Sequence, residues 1–256
     1  MSLVVERHPG FVVATINAPE RLNAISSIIY EALNELLAKI EQDLEFRCLV
    51  LTGAGRAFCA GADLKERGSL DAAGRWRYVR RLNEVIDRLD NTPVPVIASI
   101  NGLAFGGGVE LITASDMRLC LHSALFALPE VKLGIIPGGS IVRLNRMGLE
   151  RVAVKLAFSG EPMTADEALR LGLVDYVCAD EKELRSRTIE AAHRISRNAP
   201  LALRAAKKLL RGSMTGFTAP AMQLAMEVRA PLEATEDSKE GLAAFATKRP
   251  PNFVGR

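Results

Sequence analysis

Residues 94–111 read VPVIASINGLAFGGGVEL. The first seven form a short apolar run, long enough for a buried strand and too short for a helix that stands alone. Next comes NGLAFGGG (101–108), made largely of small residues, and from Val109 to Ser115 the apolar spacing turns helical. A buried strand that opens through glycines into a helix start is the building unit of an α/β layered fold.

The same pattern recurs outward from this stretch. CLVLTGAG (48–55) is a second apolar run ending in glycines, and MRLCL (117–121) and ALFAL (124–128) are further short strands. Residues 2–17 read as two strands around Pro9-Gly10. Residues 25–45 and 72–90 carry helical spacing, with Ser26 and Ser27 as cap candidates for the first and a short helix expected within 56–70. Beyond about residue 180 the strands stop, and 181–197, 200–211, 219–235 and 237–247 read as helices. We therefore expect an α/β core over 1–195 and a helical C-terminal region over 196–256. The leucine face of Leu201, Leu203, Leu209 and Leu210 is expected to serve packing or a subunit interface.

Composition narrows the function. The 256 residues carry a formal net charge of only +3, too small to imply nucleic acid. The basic stretch LRAAKKLLRG (203–212) is expected to be a solvated helix face; RNA binding is the remote alternative. The four cysteines are scattered and the three histidines are unpaired at metal-ligand spacing, so neither a disulfide framework nor a metal site is expected. Glu6, Arg7 and His8 interrupt the first apolar stretch, so no signal peptide is expected. Glu110 likewise interrupts the most apolar region, and no membrane span is expected. A cytoplasmic location is the expectation.

Two glutamates stand out. Glu110 follows the glycine triplet and is flanked by Val109, Leu111 and Ile112; Glu130 lies in ALFALPEVKLGIIPGG (124–139), with Lys132 as its charged neighbour. Apolar surroundings disfavour a carboxylate's charge and bring its pKa toward the range of acid–base catalysis. A glutamate at position 110 also suits a helix N-terminus by charge alone, and the residue by itself leaves both readings open. The glycines before it suit an oxyanion or phosphate cradle, yet no Walker or dinucleotide pattern is present, and no nucleophile elbow. Proton transfer at a polarised carbonyl is the favoured reaction class.

Taken together, NAPERLNAI (17–25), GRAFCAGADLKE (55–66), ASINGLAFGGGVELITASDMRL (98–119), FALPEVKLGIIPGG (126–139), SGEPMTADEALRLGLVDYV (159–177) and FATKRPPNF (245–253) resemble the crotonase superfamily, the enoyl-CoA hydratase/isomerase family. The resemblance implies a spiral core of repeated ββα units and a coenzyme A thioester substrate. It implies oxyanion donors at the N–H groups of Ala62 and Gly107, and catalytic carboxylates at Glu110 and Glu130. It puts Ala60, Asp63, Leu64 and Lys65 against the adenosine part of coenzyme A, and Phe245 and Lys248 against a neighbouring subunit's coenzyme A. It further implies a homotrimer or homohexamer, with no metal or cofactor beyond the coenzyme A of the substrate. Both glutamates favour an enoyl-CoA hydratase, with Glu110 activating water and Glu130 serving Cα. An isomerase, hydratase-lyase, dehydratase or decarboxylase of the same family is the alternative. One departure is PGGSIVRL (137–144), a residue shorter than the family's usual P-x-x-G-G-x-x-R-L. That loop borders the acyl pocket, as does the helix around Arg75, Trp76, Tyr78 and Arg80.

Overall fold

The computed structural model describes residues 2–212, 226–227 and 230–256. Its ten strands are β1 (Ser2–His8), β2 (Phe11–Asn17), β3 (Cys48–Gly53), β4 (Ala57–Cys59), β5 (Val96–Ile100), β6 (Leu103–Phe105), β7 (Met117–Leu121), β8 (Leu125–Ala127), β9 (Met163–Thr164) and β10 (Tyr176–Cys178). They form a six-stranded sheet in the order β1-β2-β3-β5-β7-β10 and a four-stranded sheet in the order β4-β6-β8-β9. From β3 to β8 the chain alternates between the two sheets, and each pair adds beside the previous one in parallel. This is the spiral of ββα turns that the resemblance implied. β4 and β6 lie inside segments that sequence periodicity assigned to loops. Three residues are too few to show an alternation, and small residues hide burial.

Among the described residues the helices with full bounds are α1 (Ser27–Gln42), α2 (Leu64–Gly68), α3 (Ala72–Asn91), α4 (Gly107–Thr113), α5 (Gly138–Arg146), α6 (Glu150–Ser159), α7 (Ala165–Arg170), α8 (Glu181–Ser196), α9 (Pro200–Gly212) and α10 (Glu236–Thr247). The helix expected over 219–235 falls largely outside the described residues; Ala230–Ala234 form one tight 3-10 turn. The larger core fills the space between the two sheets, α1 and α3, joining Leu37, Leu51, Phe58, Ile86 and Phe126. The opposite face of the large sheet, through Phe11, Val50, Ile97 and Leu121, is covered by Leu184 and Ala192 of α8. Burial on both faces explains why β3 and β5 read as unbroken apolar runs. All four cysteines are buried free thiols. Among the described residues no helix is long and apolar enough to cross a membrane.

The basic helix α9 corrects one expectation. Three of its four cations, Arg204, Lys207 and Arg211, are turned inward, and Lys208 alone of the four is exposed as expected. Lys207 is 4% exposed and donates to Asp116 at 2.7 Å and to the Val94 carbonyl at 2.9 Å. Arg204 donates to the carbonyls of Ile40, Glu41 and Asp43 at the end of α1, and Arg211 pairs with Asp116 at 2.9 Å. Orphan carbonyls at a helix end and buried carboxylates both need cationic partners, and α9 supplies them. Leu210, expected to serve packing or a subunit interface, is 66% exposed on the single chain.

Candidate active site

The site begins where β4 ends. Gly61 takes φ +97°, and a Cβ there would come 2.9 Å from the Phe105 carbonyl, so the crossing of loop 60–63 over β6 requires glycine. The next residue, Ala62, forms a parallel bridge with Ile25. That bridge uses the Ile25 N–H to Gly61 O (2.7 Å) and the Asp63 N–H to Ile25 O (3.1 Å). Parallel pairing of this kind turns the N–H of Ala62 itself to the other side. On that side lies Gly107, whose Cβ position would be 3.5 Å from the Ala62 nitrogen. Gly107 is the first residue of α4, where a helical N–H has no intrahelical acceptor. Two backbone N–H groups from separate turns of the spiral thus lie close together beside the cavity.

Two asparagines, Asn23 buried and Asn101 partly exposed, hold this arrangement. Asn23 accepts from the Ala18 N–H at 2.9 Å and donates to the carbonyls of Ala54 (2.8 Å) and Ala57 (2.7 Å). Asn101 donates to Gly55 O at 2.7 Å and accepts from Gly53 N at 3.1 Å. The Tyr78 hydroxyl donates to the Ile25 carbonyl and accepts from the Asp63 N–H at 3.1 Å, clamping both strands of the Ala62 bridge.

Glu110 lies in the first turn of α4, buried, and burial raises its pKa. The Arg143 guanidinium and the Ser140 and Gly139 amides at the start of α5 act against that rise. Arg143 is itself buried and is held by Asp87 and, at 3.6 Å, by Asp90. Glu130 opens the 3-10 turn Pro129–Leu133. Burial pushes its pKa up to about 7, and the negative charge of Glu110 adds to the rise. Its Oε2 is buried and meets no hydrogen-bond partner among the described residues. Burial raises both carboxyls, and they differ in surroundings: Glu110 has a cation and two amides opposing the rise, while the Glu130 Oε2 has no hydrogen-bond partner among the described residues.

Both line one cavity of about 690 Å³, with Gly106, Gly107 and Ala62 at its floor and Leu64, Trp76, Val79, Leu82 and Ile136 among its walls. The structure thus gathers Ala60, Ala62, Leu64, Gly107, Glu110 and Glu130 at one cavity. Lys65 is exposed beside it on α2. Asp63 is engaged elsewhere: its carboxylate accepts from the Lys65 and Glu66 amides, both at 3.0 Å, and pairs with Arg21 at 2.6 Å. It caps α2 and so shapes the loop that carries Ala62. Phe245 lies in α10, with its side chain outside the described part of the structure, and Lys248 follows just after that helix. Arg75 and Trp76 line the cavity as expected for their helix, whereas Arg80 points out to Glu84 at 3.1 Å.

A model of the enoyl-CoA hydratase/isomerase family matches residues 6–256. The chain belongs to that family. It is 36% identical over 250 residues to the short-chain-enoyl-CoA hydratase of Clostridium acetobutylicum, covering 97% of this chain and 95% of the relative. It is 37% identical to the 2,3-dehydroadipyl-CoA hydratase of Escherichia coli, covering 99% of each. The crystal structure of an enoyl-CoA hydratase from Bacillus anthracis superposes with a TM-score of 0.96 at 35% identity over the full length of both chains. The family's fold is therefore present whole, α10 included.

Some site residues escaped the sequence reading. Asn23 sits within the quoted family motif but drew no role, and its only signal is a polar residue among apolar ones. Arg143 stood within PGGSIVRL without a role of its own, because its partners Asp87 and Asp90 lie more than fifty positions away. Tyr78 was placed at the acyl pocket; in the structure it is buried, and its hydroxyl works on the backbone instead.

Proposed function

We propose that this protein is an enoyl-CoA hydratase: it adds water across the C2=C3 bond of a 2-enoyl-CoA thioester, giving the 3-hydroxyacyl-CoA. The observation that carries this reading is the pair of unlike carboxyls, Glu110 and Glu130, in one cavity beside two neighbouring N–H groups. The N–H groups of Ala62 and Gly107 hold the thioester oxygen as conjugate addition drives charge onto it. Glu110, with the Arg143 guanidinium beside it favouring its ionised form, takes a proton from water as the water oxygen bonds to C3. Glu130, protonated near neutrality, gives a proton to C2 of the enolate on the same face, which is syn addition. One proton leaves the water and one arrives at C2, so the pair ends with its proton count unchanged, and the two groups titrate as a unit.

The chemistry is redox-neutral and needs no metal, and coenzyme A is part of the substrate. Undiminished turnover after dialysis against a chelator tests that. Ala60, Leu64 and Lys65 stand at the cavity mouth where the adenosine end of coenzyme A would enter. A homotrimer or dimer of trimers is supported by side chains left bare near the site: Ile136 (74%), Val142 (67%) and Phe158 (80%). In that assembly Phe245 and Lys248 would meet a neighbour's coenzyme A, and sedimentation gives the mass that decides it. A cytoplasmic role in fatty acyl metabolism fits this substrate class.

The deciding experiment follows loss of the conjugated enoyl absorbance of crotonyl-CoA with wild type, Glu110→Gln and Glu130→Gln. Fast wild-type hydration, lost in both variants, is expected. An enoyl-CoA isomerase is the second reading, favoured by the Glu130 pKa of about 7 and its partner-free Oε2, which suit a single carboxyl that moves a proton along the acyl chain. It predicts that wild type shifts a 3-enoyl-CoA to the 2-enoyl isomer and that Glu110→Gln spares this. Hydration surviving intact in Glu110→Gln would sink the two-carboxylate reading.

A further inference from the structure

Asn83 stands on α3 and lines the cavity together with Glu110. Its Nδ2 donates to the Val79 carbonyl, one turn back, at 3.0 Å. In a helix that carbonyl already receives the backbone N–H of Asn83, so the side-chain bond orients the amide rather than completing the helix. With Nδ2 spent there, Oδ1 is the free end, and no hydrogen bond reaches it among the described residues. It faces the start of α5. A Cβ on Gly139 would come 2.8 Å from Glu110 Oε1 and 3.2 Å from Asn83 Oδ1. The two oxygens are therefore at most about 6 Å apart, a span that one water crosses with two hydrogen bonds.

Both oxygens accept, so only a molecule with two donor hydrogens joins them. Arg143 Nη1 lies 2.7 Å from the same Cβ position, but it is sealed from solvent without a partner. Asn83 is half-buried and opens to the cavity, among the apolar side chains of Trp76, Val79 and Leu82. Hydration needs a water held for attack on C3. A water that donates one hydrogen to Glu110 still turns about that bond, and Glu130 enters the step carrying the proton destined for C2. An acceptor for the second hydrogen stops the turning and leaves an oxygen lone pair free for C3.

Building on the hydratase reading, we propose that Asn83 is a further catalytic residue, whose Oδ1 accepts the second hydrogen of the water that Glu110 activates. The first hydrogen passes to Glu110 as the water oxygen bonds to C3, and Glu130 gives its proton to C2. The second hydrogen stays on that oxygen as the hydroxyl of the 3-hydroxyacyl product, still held by Asn83. No bond of Asn83 itself forms or breaks.

The test compares two reactions at the same site. Hydration of crotonyl-CoA needs water at C3. Exchange of the α-protons of butyryl-CoA in D2O, read by NMR, needs the N–H groups and a carboxyl at C2 but no attack at C3. In Asn83→Leu, kcat for hydration is expected to fall on the order of 100-fold with KM little changed, the scale of loss when a reacting group is left unoriented. The α-exchange should keep its wild-type rate. Asn83→Asp, which keeps an acceptor oxygen at this place, should retain part of the hydration. Matched melting curves exclude misfolding, and Asn83→Ala repeats the comparison without added bulk. Unchanged hydration overturns the proposal. So does an equal loss in both reactions, which would give Asn83 a role in shaping the acyl wall. So does an upward move of the acid limb of kcat/KM with hydration restored at higher pH, which would make Asn83 a partner of Arg143. If wild type hydrates no thioester, the hydratase reading fails and the water role with it; fast wild-type hydration with an unaffected variant sinks the water role alone.

Discussion

Glu130 stands directly against Gly106: a Cβ on that glycine would come 2.6 Å from the Glu130 Oε1. Gly106 also has φ +51°, a region other residues enter at a cost. The carboxyl and the backbone that launches α4 are thus fitted to each other with no space between. Gly106→Ala is expected to push Glu130 off its position. Hydration should fall by about 100-fold or more, with an accompanying stability loss of about 1–3 kcal/mol. Steady-state kinetics and thermal melting read the two effects separately.

Keeping Glu130 protonated has a signature in stability. Its folded pKa, about 7, lies above the ordinary 4.5. Between those two pH values the folded state holds a proton that the unfolded state releases, so stability falls as pH rises through the window. Glu130→Gln removes this dependence. The variant should match wild type at the acid end and exceed it above pH 7 by about 1–3 kcal/mol, a figure reduced for partial exposure. Melting curves across the window check it; equal melting temperatures at every pH would remove the raised pKa from the account.

The pH–rate profile should show both carboxyls. The rate constant kcat/KM is expected to decline as pH rises past about 7, when free-enzyme Glu130 loses its proton. The acid limb belongs to Glu110, whose charge Arg143 favours. Arg143→Gln should move that limb upward by about one unit, while Arg143→Lys should hold it nearly in place.

The Lys207–Asp116 pair is a test of how α9 is fastened. Lys207→Met leaves Asp116 and the Val94 carbonyl short of a buried partner. Arg211 still pairs with Asp116 at 2.9 Å, so we expect a loss of about 1–3 kcal/mol in denaturant unfolding. Adding Asp116→Asn should recover part of it, because no carboxylate is then left with one of its two cations missing.

Much of this was legible in the chain itself. The strands buried on both faces announced themselves as apolar runs, and Glu110 and Glu130 stood out as lone charges in apolar stretches. What stayed hidden were pairings over long sequence distances. Nothing near Lys207 reveals that Asp116 and Val94 wait for it inside, so a basic amphipathic stretch was read as solvated. Asp63 was similarly ambiguous: an aspartate before a short helix suits a ligand or a cap, and only the positions of the Lys65 and Glu66 amides decide for the cap. The strands β4 and β6 were too short for periodicity to register, although they carry the loops on which both N–H donors stand.

The spiral also separates two kinds of inheritance. The donors and carboxyls come from the ends of successive turns, at 61–62, 106–110 and 130. The wall facing the acyl group comes mainly from one excursion of the chain, residues 64–82, inserted between β4 and β5. That excursion behaves as an exchangeable cassette: a relative's version could reset which acyl group is accepted while leaving the reacting centre intact. Its one obligatory fixture is Tyr78, whose hydroxyl ties the cassette to Ile25 and Asp63 on either side of the Ala62 bridge. Variation is free around that anchor and costly at it.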